Sequence, residues 1–177
     1  MIKGGIGGSK TKTGLKFENR IDLREAFTKF KEYTAKEGDL YFENKLVAKM
    51  YKKNDFYSKF LNSLQIDSSK IISKKLLPDE TIFILKDKTL FIIEMKFQEV
   101  AGSVDEKLQT CDFKKKQYQK LLKNSGIKVE YVYILNGWFE NTSYKDVLEY
   151  IKSVNCHYFF EILPFEFLGL PLPKINS

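Results

Sequence analysis

Asp79, Glu94 and Lys96 are the residues of this chain whose types and spacing suit chemistry at a charged centre. They lie in LLPDETIFILKDKTLFIIEMK, residues 76 to 96, where Thr81–Leu85 and Thr89–Ile93 are rich in β-branched and aromatic residues. The polar break Lys86-Asp87-Lys88 supplies a turn, so the stretch reads as a β-hairpin. A turn centred between Lys86 and Asp87 sets Asp79 opposite Glu94, with Cβ atoms roughly 5 Å apart. Lys96, two residues beyond Glu94, points to the same face. Two carboxylates opposed in this way repel each other and call for a compensating cation. Oxygen ligands at that spacing suit a hard divalent ion, magnesium first. An ordinary ion pair between Lys96 and either acid at a strand end would use the same residues.

Pro78-Asp79, fourteen intervening residues and then Glu94-Met95-Lys96 resemble the bipartite motif of the PD-(D/E)XK nuclease superfamily, which includes many type II restriction endonucleases. The resemblance runs over roughly residues 17 to 135 and includes the hairpin between the two halves and the helix that follows. It implies that Asp79 and Glu94 hold magnesium with the Met95 carbonyl as a further oxygen ligand, and that Lys96 acts beside them. It also implies an acidic residue from the helix preceding the motif. Glu18 matches by position, with Asp22 and Glu25 as competitors. The expected substrate is double-stranded DNA, cut by a homodimer whose system contains a partner DNA methyltransferase. A structure-specific nuclease and a non-catalytic DNA-binding module of the same fold are the alternatives.

The elements that must position these residues follow from periodicity. Leu15 to Tyr33 predicts a helix, with Phe17, Ile21, Leu23, Ala26, Phe27 and Phe30 as its apolar face. Asp39 to Tyr51 predicts a small hairpin, and Asn54 to Leu64 a second helix capped by Asn54. After the central hairpin, Ser103 with Glu106 three residues on has the form of a capping box. The helix it opens runs to about Lys123, with Val104, Leu108, Cys111, Tyr118 and Leu122 as the core stripe and its lysines on a solvated face. Its N-terminus assigns Ser103 and Lys107 to phosphate contacts. Gly126 ends the helix, and Lys128–Leu135 is a strand whose crossover predicts parallel pairing. Asn136, in an Asn-Gly-Trp-Phe ending similar to those of restriction enzymes, is a further candidate for DNA contact. Ser143–Val154 predicts a helix and Cys156–Phe160 a last short strand. The Pro-broken C-terminal segment either covers the core or meets another subunit.

This element order predicts an α/β fold, a mixed central β-sheet flanked by helices on both faces, with a restriction-endonuclease-like core. At 177 residues, 43% hydrophobic and 15% aromatic, the chain is expected to form one globular domain, 1–177. Residues 1–14 form a basic, Gly-rich arm, either a mere terminus or a phosphate-contacting segment using Lys10 and Lys12. The net charge of +7 suits an acidic partner. It comes almost wholly from lysine, since Arg20 and Arg24 are the only arginines, which favours phosphate over base contacts. Two cysteines and one histidine, His157, argue against a disulfide framework, a zinc site or a Ser-His-Asp triad. No apolar stretch is of signal-peptide or membrane-span length, so a cytoplasmic protein is expected.

Overall fold

Strand-forming residues dominate the middle of the chain, and in the computed structural model, which describes residues 13–17, 22–100 and 104–174, they build a mixed sheet of seven strands. A two-stranded sheet pairs β1 (Gly14–Lys16) with β9 (Ile162–Pro164). The main sheet runs in chain order, β2 (Tyr33–Lys36), β3 (Asp39–Phe42), β4 (Lys45–Tyr51), β5 (Glu80–Ile84), β6 (Thr89–Lys96), β7 (Lys128–Leu135) and β8 (His157–Phe160). Successive pairs from β2–β3 to β5–β6 are antiparallel, whereas β6–β7 and β7–β8 are parallel. The change of sense falls at β6, the strand that carries Glu94 and Lys96.

Alternation along β6 divides its side chains between two cores. Leu90 and Ile92 join a cluster with Phe56, Leu108, Cys111, Tyr118, Tyr131, Tyr133 and Ile151. Phe91 and Ile93 join a second with Leu23, Phe27, Val132, Phe165 and Leu168. Helices therefore flank both faces. The helices α4 (Cys111–Leu121) and α5 (Lys145–Ser153) cover the first, while α1 (Leu23–Thr28) and α6 (Phe165–Leu168) cover the second. Among the described residues no helix is long and apolar enough to cross a membrane.

The central hairpin has the expected register, from Ile84 opposite Thr89 to Glu80 opposite Ile93. Lys88 closes the turn at φ +52°. The parallel β6–β7 pairing is also as expected, and Gly126 takes the left-handed conformation, φ +70°. The C-terminal segment covers the core, with Leu163, Phe165 and Leu168 fully buried.

Three helices differ from the periodicity reading. Among the described residues, the helix expected over 15–33 spans Leu23–Thr28. Leu15 instead pairs in a strand with Leu163, a partner far away in sequence, and Tyr33 opens β2. A Cβ at Gly14 would lie 2.5 Å from Ile162 Cγ2 and 2.9 Å from the Leu163 carbonyl oxygen, so this pairing needs glycine. The long helix after β6 is broken into α3 (Val104–Leu108) and α4. The Lys107 carbonyl accepts from the Thr110 hydroxyl at 2.7 Å and from the Tyr133 hydroxyl at 3.1 Å, competing with continuation of the helix. The second predicted helix, α2 (Lys53–Asp55), continues in π geometry over Phe56–Leu61, with Lys52 rather than Asn54 at its cap position.

The lysines of α4 are not uniformly solvated. Lys115 is buried, and its Nζ donates to Glu130 at 2.9 Å and to the Asn155 carbonyl. Glu130 also meets His157 at 3.3 Å, so this group ties α4 to β7 and β8. Burial pushes the Glu130 carboxyl up, but His157 and Lys115 more than offset it and hold it below the ordinary glutamate value. Its contribution to stability is thus present above the unfolded-state value and lost as pH falls through the folded one. Lys115→Met is expected to lower the unfolding free energy by about 2 kcal/mol at neutral pH. The deficit should shrink as pH falls and Glu130 protonates, a trend that urea titrations across pH will check.

Candidate active site

The segment leading into β5 is fixed before any charge is placed. The Leu76 carbonyl accepts from the Tyr57 hydroxyl at 2.8 Å and from the Tyr118 hydroxyl at 3.0 Å, while the Leu76 N–H donates back to Tyr57 at 2.9 Å. The Pro78 carbonyl accepts from the Lys53 N–H at 2.9 Å. Asp79 follows, one step beyond the paired residues of β5, and its Oδ2 accepts from the Met95 N–H at 3.2 Å. The side chain of one strand end is thereby latched to the backbone of the other.

Glu94 is 5% exposed and lies on the same face as Leu90 and Ile92, beside Tyr131 and Tyr133 of β7. A bare carboxylate there would be costly. Lys96 Nζ lies 3.0 Å from Glu94 Oε2 and 3.7 Å from Asp79 Oδ2, so one ammonium serves both acids. Lys114 Nζ, from α4, donates to both Glu94 oxygens at 2.8 Å. Burial pushes the Glu94 carboxyl up, but Lys96 and Lys114 outweigh it, and the group titrates below the ordinary glutamate value.

A cleft of about 530 Å³ opens at these strand ends, lined by Lys52, Asp79, Glu80, Met95, Lys96 and Lys107 among others. Lys53 is on the same wall, with its backbone held at φ +42°, a conformation that costs a non-glycine residue about 1 kcal/mol or more. On the far side, Lys52 bonds to Asp22, the N-cap of α1, and meets Glu80 Oε1 at 3.1 Å. Glu80 is 3% exposed and its Oε2 has no hydrogen-bond partner. Burial dominates and lifts its carboxyl above the ordinary value despite Lys52.

The structure thus brings Asp79, Glu94 and Lys96 together, with the Met95 backbone between them and Lys107 on the cleft wall. Asn136 bonds twice to the Gln98 backbone, its Oδ1 accepting from the N–H at 3.2 Å and its Nδ2 donating to the carbonyl at 2.8 Å. That pair ties the chain leaving β6 to the end of β7. Glu18, Lys10, Lys12 and Ser103 lie outside the described residues. Asp22, a competitor of Glu18, is engaged with Lys52. Lys114, Lys52 and Glu80 are site residues the sequence reading missed. Lys114 had a signal, since it lies three residues after Cys111 and four before Tyr118, on the flank of the stripe that faces the sheet.

Two carboxylates and a backbone carbonyl are the hard oxygen donors that magnesium prefers, and the carboxylates already share one cation, the Lys96 ammonium. The donor chemistry fits. Among the described residues no third acidic side chain completes a metal-binding group with this pair. Comparison of the chain with family models, with curated proteins and with solved structures returned no match.

Proposed function

We propose that this chain is a magnesium-dependent endonuclease that hydrolyses phosphodiester bonds of double-stranded DNA at a short specific sequence, as type II restriction enzymes do, leaving 5′-phosphate ends. The observation that carries this reading is the single Lys96 ammonium shared by Asp79 and Glu94 where the β5–β6 hairpin meets an open, lysine-lined cleft. In this reading the mixed sheet is a restriction-endonuclease-like core, and Asp79, Glu94 and the Met95 carbonyl hold the ion. Bound there, magnesium would polarise the scissile phosphate and make hydroxide available near neutral pH.

The protein's own groups do the rest. Asp79 is oriented by the Met95 N–H, and Lys96 orients the attacking water and offsets the charge that grows on the phosphoryl oxygens. Lys52, Lys53 and Lys107 line the cleft and attract backbone phosphates as point charges. Cutting both strands of a palindromic site calls for a homodimer, and a cognate DNA methyltransferase belongs to the same system.

The test is incubation of the full chain with unmethylated phage and plasmid DNA, with and without magnesium, beside an Asp79→Ala variant. Discrete magnesium-dependent fragments, absent with the variant, are the expected result. Selective cutting of branched DNA would replace the sequence-specific reading by a structure-specific one. Salt-sensitive binding with no cleavage would leave a DNA-binding module.

A further inference from the structure

Glu94 has two ammonium partners, and the second of them sets a condition on anything else that binds there. Lys96 approaches Oε2 from its own strand, whereas Lys114 reaches in from α4 and donates to both oxygens at 2.8 Å. Lys114 makes this contact with its side chain about three-quarters covered, against a carboxylate that is nearly fully buried. Its neighbours on the helix are spent elsewhere, Lys115 on Glu130 and Lys116 on Asp112 at 2.7 Å. The helix is also anchored from both ends of the contact, by Cys111 and Tyr118 in the core. The Lys114 stem is therefore delivered to Glu94 by packing and is not one rotamer of a mobile surface lysine.

Of the roughly four lone-pair sites of the Glu94 carboxylate, Lys114 occupies two and Lys96 a third, which leaves about one for a hard cation. We propose that Lys114 is a built-in competitor for Glu94, and that uptake of a divalent cation requires Glu94 to exchange Lys114 for the ion. This rests on the metal-dependent reading of the Asp79–Glu94 pair. Lys114 is then a positioning residue that keeps the buried carboxylate charged and compensated until the ion arrives. The exchange sets the ion's affinity, because binding must first separate an ammonium from the carboxylate. By linkage, whatever weakens the Lys114–Glu94 contact tightens cation binding by the same factor. Lys96 differs, since it spans both acids and remains available to the cleft.

Calorimetric titration of the full chain with magnesium chloride tests this without reference to cleavage. Lys114→Met should bind the ion about tenfold or more tightly than the wild type, and magnesium should raise its melting temperature by more. Lys114→Arg keeps the charge and should stay within about threefold of the wild type. Lys116→Met removes the same charge from an exposed, screened position and should change affinity less than about threefold. Should Lys114→Met not fold, Lys114→Gln carries the same expectation, because it removes the charge while keeping a donor. Asp79→Ala in the Lys114→Met background should abolish the titration, placing the ion at this pair. Unchanged or weaker binding by Lys114→Met, or tightening by Lys116→Met to the same extent, overturns the competition while leaving the metal site standing. Failure of every variant and of the wild type to bind magnesium overturns both the competition and the metal-dependent reading. Binding that survives Asp79→Ala overturns the assignment of the ion to the Asp79–Glu94 pair.

Discussion

Replacing Lys96 with methionine is expected to slow magnesium-dependent cleavage about 10²–10³-fold, the effect of removing one well-placed electrostatic group from a preorganised site. Lys96 is the group that reaches both acids, at 3.0 Å and 3.7 Å, and it is one of the residues on the cleft wall. Glu94 keeps Lys114 in this variant, and Asp79 keeps the Met95 N–H, so the fold should hold. Duplex binding should fall little, because Lys52, Lys53 and Lys107 still line the cleft. Single-turnover cleavage rates set beside anisotropy of a labelled duplex separate the two effects. A cleavage rate within about threefold of the wild type would reduce Lys96 to an ordinary ion pair of the surface-bridge kind.

The same variant has a pH signature whose sign is fixed. Burial raises the Glu94 carboxyl, and the Lys96 charge is the first of the groups that bring it back down. In the wild type the folded value is depressed, so the stabilising carboxylate persists below the unfolded-state value and is lost only as pH falls through the folded one. Without Lys96 that loss should begin at higher pH. Acid unfolding curves of the two proteins will show the shift directly.

What the sequence disclosed, it disclosed locally. The β5–β6 hairpin was legible because two strands of strong β character flank a short polar turn, and a hairpin turn fixes the register of everything beyond it. Asp79 and Glu94 came together from that register alone. The parallel β6–β7 pair was legible because a crossover of that length leaves one common handed solution. The first helix was misread because Leu15 and Phe17 are buried by the C-terminal segment, through the pairing of Leu15 with Leu163 and the bond from the Phe17 N–H to the Glu161 carbonyl. Apolar spacing cannot distinguish a helix face from a strand whose partner lies at the other end of the chain. Lys114 and Lys115 were misread for a related reason. A lysine run reads as solvated until docking of the helix shows which stems run along the sheet and which carboxylates wait beneath them.

Lys52→Met is expected to cost about 3 kcal/mol of stability near neutral pH, the scale for leaving one member of a buried ion pair uncompensated. The figure sits at the lower end because Lys52 itself is about one-third exposed and its charge is partly screened. Burial pulls the Lys52 ammonium down, but its bonds to Asp22 and Glu80 outweigh that and hold it above the ordinary lysine value. The Lys52 charge therefore contributes stability throughout the neutral range. Glu80 keeps an N–H contact from Leu23 at 3.4 Å, too long to replace an ammonium. Its carboxyl is already raised by burial, and removal of Lys52 takes away the two largest influences that lower it. A carboxyl with a raised folded value destabilises the fold as pH climbs from the unfolded value through the folded one. The deficit of Lys52→Met should thus grow from mildly acidic to neutral pH, the same sign as for Lys115→Met but in a higher pH window, because Glu80 has a raised value and Glu130 a depressed one. Glu80→Gln in the Lys52→Met background should flatten that dependence, since it removes the titrating group and keeps the shape. A Lys52→Met deficit independent of pH would mean that Glu80 finds water or another partner when Lys52 is gone.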